Sequence, residues 1–277
     1  MIIELGHSDF HLCRSLLNNE GQLEAKAVIE GVAPGRVYVD DASKPTSGIV
    51  WLGNNDGFIF IGNEANKLFN NSLNSFIDNV IANEAKIVGL DCFEAIGNHN
   101  KWDAVLEVLF VERDIKSWNQ KVYTLDRSDL NVNVQLNLEE GYEIVKLTES
   151  LYKNETHHRI TNIEYLHEKI LEFWSLPEHF FNEGLGYCAL FNYEIVSICF
   201  SGFVVNKTHC IDIETNANHR GKKLAQTLTH LFAEECLNQN CTPYWDCMES
   251  NTASRAVVER NGFKNIFNYK GYYFMLK

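Results

Sequence analysis

Residues 211–225 read Ile-Asp-Ile-Glu-Thr-Asn-Ala-Asn-His-Arg-Gly-Lys-Lys-Leu-Ala, an order suited to holding a polyanion. Alternation over 211–215, closed by Asn216 and Asn218, predicts a strand that ends in a turn. Beyond the turn, Leu224, Leu228, Leu231, Phe232 and Cys236 fall at helical spacing. A strand, a short turn and a helix start present unpaired backbone N–H groups and the positive end of a helix dipole to a phosphate. The turn carries Gly221 with three cations, Arg220, Lys222 and Lys223, in a chain whose formal net charge is −13.

A second block follows. Residues 243–248 read as a short strand, and Asn251 is a plausible N-cap. Ala253, Ala256, Val257 and Arg260 then make a short helix that Gly262 stops. The tail, 267–276, is aromatic, with Tyr269, Tyr272, Tyr273 and Phe274, and reads as closing strands.

At these two blocks the chain resembles the GNAT superfamily of acyl-CoA-dependent N-acyltransferases, most closely the kind that includes the zwittermicin A resistance acetyltransferases. That family's signature is Arg or Gln, two residues, Gly, one residue, then Gly or Ala after its fourth strand. Arg220 and Ala225 match it, and Lys223 stands where the intervening Gly is usual. A Cβ therefore sits where the backbone approaches the diphosphate. Asn251, Ser254, Gly262 and Phe263 match the family's second block. The resemblance covers about half the chain. It implies a C-terminal GNAT fold, a central mixed and mostly antiparallel sheet flanked by helices, and acetyl-CoA as co-substrate with no metal. Main-chain contacts would come from Ile213 and Thr215 on a splayed strand over 209–215. The diphosphate would lie on amides of Arg220, Gly221, Lys222, Lys223, Leu224 and Ala225, and Asn251 and Ser254 join the cofactor-binding positions.

Amine acylation asks for proton removal, carbonyl polarisation and departure of a thiolate. Alternation puts His209, Ile211, Ile213 and Thr215 on one strand face and Cys210, Asp212 and Glu214 on the other. His209 stands eleven residues before Arg220, where family members often keep a Glu or His. An unperturbed imidazole, pKa about 6.5, suits proton removal at neutral pH. The competing reading is a solvent-facing histidine beside Lys207. Glu214 and Asp246 are the alternative carboxylates. Where many family members carry an acidic tyrosine this chain has Val258, which leaves Tyr272 or Tyr273, or water, to protonate the thiolate. Tyrosines in such a tail also serve as core. His157 and His158 lack partners at ligand spacing.

The chain has 277 residues, 45% of them hydrophobic, which suggests about two domains, placed here at 1–138 and 139–277. The fold class expected is α/β throughout. For the first domain a degenerate GNAT-like fold without a cofactor loop is one reading, because the Gly62-Asn-Glu-Ala stretch has no cations. Its elements are strands at 36–40, 49–52 and 58–61, the last two joined by a Gly53–Gly57 hairpin, helices at 65–82 and 102–110, and a buried strand at 87–90. Val132, Val134, Leu136 and Leu138 alternate like a further strand. In the second domain strands are expected at 142–147, 186–191 and 195–205, and helices at 162–174 and around His179 and Phe180.

The acidic surface argues against nucleic acid and for a small cationic amine as acceptor. No apolar run reaches the roughly 18 residues of a membrane span, and no export signal is read, so a cytoplasmic protein is expected. Eight cysteines without a CxxC pair read as buried thiols of a reducing compartment. A homodimer is left open. The rival to an N-acetyltransferase acting on a small-molecule amine is a non-catalytic CoA-binding or scaffold protein with a degenerate GNAT domain.

Overall fold

The computed structural model describes residues 2–131, 138–155 and 160–276. The expected strand through Val132, Val134 and Leu136 and the pair His157 and His158 lie outside the described residues. In chain order the elements are β1 (Ile3–Glu4), a 3-10 segment (His7–Leu16), α1 (Leu23–Ile29), β2 (Gly35–Val39), β3 (Ser47–Leu52), β4 (Phe58–Gly62), α2 (Lys67–Phe76), α3 (Ala82–Ile87), β5 (Cys92–Gly97), α4 (Lys101–Leu109) and β6 (Lys116–Thr124). They continue as β7 (Tyr142–Lys146), α5 (Glu149–Tyr152), α6 (Ile163–Phe173), α7 (Pro177–Glu183), β8 (Gly186–Phe191), β9 (Glu194–Val205), β10 (Thr208–Thr215), α8 (Leu224–Asn238), β11 (Thr242–Met248), α9 (Thr252–Arg260) and β12 (Lys264–Met275).

Contacts divide the chain into two compact units, Met1–Gln120 with Tyr269–Lys277, and Lys121–Asn268. The division differs from the expected 1–138 and 139–277 at both ends. The tail returns to the first unit because Gly271–Met275 pairs antiparallel with β5, Gly271 opposite Ile96 and Met275 opposite Cys92. The stretch after Gln120 belongs with the second because Tyr123 and Leu125 are buried in that unit's core. Pairing between distant segments carries no local sequence signal, so the swap could not be read along the chain.

In the first unit β1, β2, β3 and β4 pair antiparallel in sequence, and β5 joins β4 in parallel, Phe58 opposite Ala95. All of β3 is buried, the polar Ser47 as well as the apolar run over 49–52. Phe69, Leu73, Ile77 and Ile81 follow at i, i+4 steps along α2 and a single π-helical turn, and all four are buried. The expected strand at 87–90 is absent. Those residues finish α3: Gly89 turns left-handed at φ +79°, and the Leu90 amide returns to the Ala85 carbonyl at 2.8 Å. A four-residue apolar run that stops a helix looks locally like a strand, and Ile87 is in fact exposed.

The second unit repeats the order: strand, helices, three antiparallel strands, helix, parallel strand, helix and closing strand. β7, β8, β9 and β10 pair antiparallel, and β11 joins β10 in parallel. Asn192 and Tyr193, with φ of 50° and 65°, form the two-residue turn between β8 and β9, matching the twist of a tight hairpin. The core under the sheet is α8 against β9, β10 and β11, centred on Leu228, Phe232, Ala233, Trp245 and Val258. The expected closing strands of the tail are one strand, β12, whose halves serve different units. All eight cysteines are free thiols. Among the described residues no helix is long and apolar enough to cross a membrane.

Candidate functional site

β10 and β11 begin side by side and then part. Their parallel register runs Thr208 opposite Thr242, His209 opposite Pro243 and Cys210 opposite Tyr244, and ends there. A bulge between Cys210 and Ile211 shifts the β10 register against β9 at the same point. The extra residue is Gly202 of β9, since Phe203 pairs with Cys210 and Ser201 with Ile211. Beyond it β10 keeps its pairing with β9 as far as Thr215, while its pairing with β11 has ended. Ile213, Glu214 and Thr215, beyond the end of that pairing, line a groove of about 510 Å³ that Trp245 also lines.

The β10–α8 turn closes one end of this groove. Asn216 opens the turn by accepting from the Asn218 amide at 3.1 Å, and Arg220 Nε donates back to the Thr215 carbonyl at 3.1 Å. Gly221 is left-handed at φ +78°, and so is Lys223 at φ +61°, ψ 13°. For Lys223 that conformation costs roughly 1–2 kcal/mol relative to the usual region. In return, α8 begins with no side chain capping it, so the first-turn amides are left for a ligand. Arg220, Gly221, Lys223, Leu224 and Ala225 all line the groove. Lys222 does not: its ammonium pairs with Glu139 at 2.9 Å and lies 5.2 Å from the Tyr142 ring centre. The hydrogen bond to Glu139 also raises its pKa.

α9 supplies the opposite wall. Asn251 caps it by accepting the Ser254 amide at 3.0 Å, and the Ser254 hydroxyl receives Trp245 Nε1 at 3.0 Å. Both residues line the groove, so the expected pair is here, with a structural duty as well. His219, Gln226, Ala253, Val257 and Arg260 also line it and were not read as site residues. The i, i+4, i+7 spacing of Ala253, Val257 and Arg260 was the available signal. His219 is held by the Tyr142 hydroxyl, 2.7 Å from Nδ1.

The four expected catalytic residues separate. Glu214 lines the groove, with its carboxylate 2.8 Å from the Lys169 ammonium of α6. Burial opposes charge on Lys169, but hydrogen bonds to Glu214 and Glu172 outweigh it and raise its pKa. Burial, then the Glu214 charge, raise the neighbouring Tyr165 phenol. His209 is on the face the alternation required, but that face at the start of β10 is core. It is 4% exposed, its Nδ1 lies 2.9 Å from Ser201 Oγ, its ring stands edge-on to Phe232, and it does not line the groove. Burial lowers its pKa to about 4, so it is a weak base at neutral pH. Asp246 is half-buried on β11 and does not line the groove either. Tyr272 belongs to the first unit, where it is 2% exposed and donates to Glu107 at 3.0 Å. Val258 is fully buried core, and among the described residues no tyrosine lines the groove.

The equivalent turn of the first unit is built differently. Asn66 caps α2 through the Phe69 amide at 3.2 Å and donates to Asp40 at 2.8 Å, so a side chain takes up a first-turn donor beside a carboxylate. Gly62 leads in at φ +79°, where a Cβ would meet the Thr46 carbonyl at 2.3 Å. A capped helix start next to an acid repels an anion.

A family model described as GNAT acetyltransferase matches residues 14–272. The uncharacterised N-acetyltransferase YdfB of Bacillus subtilis (strain 168) is 24% identical over 248 residues, 89% of this chain and 88% of that protein. Among solved structures, a GCN5-related N-acetyltransferase-like protein from Streptococcus suis aligns with TM-score 0.67 at 18% identity, covering 96% of this chain and 98% of that one. A tandem GNAT protein from the clavulanic acid biosynthesis pathway aligns with TM-score 0.62 at 9% identity, covering 99% and 98%. At those identities the structural likeness is one of fold, and it extends over both units.

Proposed function

The chain belongs to the GNAT acetyltransferase family, and from that premise we propose that it transfers an acetyl group from acetyl-CoA to a primary amine of a small molecule, using the groove of the second unit alone. One observation carries the reading: the parted strands β10 and β11 and the uncapped start of α8 open into the same groove. Backbone groups of Ile213 and Thr215 hold the pantetheine arm and polarise the acyl carbonyl. The α8 amides, with Arg220 and Lys223, hold the diphosphate. The thioester, when bound, supplies an activated acyl group whose thiolate is a weak base, so departure without a tyrosine acid is chemically reasonable.

Glu214 takes over the role expected of His209. Among the described residues it is the carboxylate that lines the groove, and it attracts an ammonium and accepts its proton, directly or through water. The Lys169 ammonium, 2.8 Å away, holds that carboxylate in place. The acidic chain, at −13, favours cationic acceptors.

Incubation of the full chain with acetyl-CoA and a panel of polyamines and aminoglycosides, followed by free-thiol release, tests the reading. Amine-dependent thiol release supports it. Tight CoA binding with no release from any amine would instead favour a non-catalytic CoA-binding protein.

A further inference from the structure

Arg260 ends α9 and lines the same groove as the α8 turn. Ala253 and Val257 precede it on that face, while Val258 faces the core with no exposure. Seven residues of helix place Arg260 about 10 Å along the axis from Ala253. The buried Asn261 holds this end in place, donating to the Gln226 carbonyl of α8 at 3.3 Å and to Val257 at 2.9 Å. This end of α9 is thereby held beside the first turn of α8, and Arg260 lines the groove there together with Arg220 and Lys223.

Charge pairing separates this cation from its neighbours. Lys222 is bound to Glu139, and Arg255, one turn back on α9, lies 3.6 Å from Glu259. Among the described residues Arg220, Lys223 and Arg260 form no ion pair, yet all three line one groove of a strongly acidic protein. Three uncompensated cations facing one cavity repel each other unless the ligand is a polyanion. The α8 amides with Arg220 and Lys223 match one diphosphate, and Arg260 is left over for a further anionic group.

We propose that Arg260 binds a phosphomonoester at the nucleotide end of the ligand, the 3′-phosphate of CoA, and so makes the site discriminate CoA from its dephosphorylated form. The proposal rests on the acyl-CoA reading above. A guanidinium bonds two phosphate oxygens at once, a geometry that an ammonium does not reproduce.

Calorimetric titration of the full chain with CoA and with dephospho-CoA, at one fixed ionic strength, tests it in the wild type, Arg260→Met and Arg260→Lys. The wild type should prefer CoA by about tenfold or more. Arg260→Met should bring the ratio close to one while leaving dephospho-CoA affinity within about twofold, and Arg260→Lys should keep part of the preference. Because Arg260 is exposed, the variants should share the wild-type melting midpoint. A wild type that binds both ligands equally, or an Arg260→Met that weakens both alike or leaves the ratio unchanged, overturns the assignment while sparing the acyl-CoA reading. If the wild type binds neither ligand, that reading falls, and the role of Arg260 with it.

Discussion

His209→Asn separates a proton acceptor from a buried core histidine. Asn keeps a polar group near the Nδ1 position that faces Ser201 Oγ, and it does not titrate. The wild-type imidazole has a pKa of about 4 in the folded chain against 6.5 for the free group. As pH falls below 6.5, the unfolded chain takes up a proton that the folded chain refuses, so the folded state loses stability with acid. The loss is absent at neutral pH, grows at about 1.4 kcal/mol per pH unit and totals about 3 kcal/mol near pH 4. The smaller Asn side chain costs about 1–2 kcal/mol at pH 7 through lost packing. The two stability curves should therefore cross near pH 5.5, about one unit below the start of the wild-type loss. Urea denaturation of both proteins from pH 8 to pH 4 measures the difference, with unaltered denaturant slopes as the control. Other acid-labile groups are common to both and cancel. In the same pair kcat should keep its pH profile. Parallel stability curves, or a kcat limb near neutrality that vanishes in His209→Asn, would refute the burial argument and return the histidine to the chemistry.

Glu214→Gln should lower kcat for cationic amines by about a hundred- to ten-thousandfold with CoA affinity nearly unchanged, while Tyr272→Phe should leave kcat alone; steady-state kinetics on both variants decides, and the reverse result sinks the assignment. Lys223→Gly releases a left-handed lysine but frees the unfolded chain, so stability should move by less than about 1 kcal/mol and CoA affinity by less than about tenfold, or 1.4 kcal/mol. A much larger affinity gain would mean that the loop is held open by strain. Deleting residues 1–138 removes Tyr123 and Leu125 from the second core and Arg127 from its bond to the Asn238 side chain at 2.9 Å. Each lost core side chain costs about 2–5 kcal/mol, so the remainder should show no cooperative melting transition; a sharp melt with retained CoA binding would contradict that.

Local pattern sufficed wherever one segment's own residues settle the matter. The alternation over 211–215, the glycine and cations after it and the apolar period of α8 specified the strand, turn and helix that line the groove. Asn251 with Ser254 three residues on specified the α9 cap. These are short-range effects: N–H donors, caps and side-chain periodicity act within a turn or two. Face could be read too, since His209 lies on the predicted side of β10. Whether that side is open or closed could not, because it depends on Phe232, twenty-three residues later, and on Ser201 of the neighbouring strand. For the same reason Glu214 and not Asp246 reaches the groove, Lys222 turns to Glu139, and Tyr272 serves the first unit through β5. Each outcome follows from packing or pairing between distant segments, whose free energy appears only when the chain has folded. The bulge beside Cys210 is only half of this kind: its extra residue is Gly202 within β9, and a glycine inside a strand is a local bulge signal, but where β10 stops pairing with β11 is imposed by the register of the folded sheet.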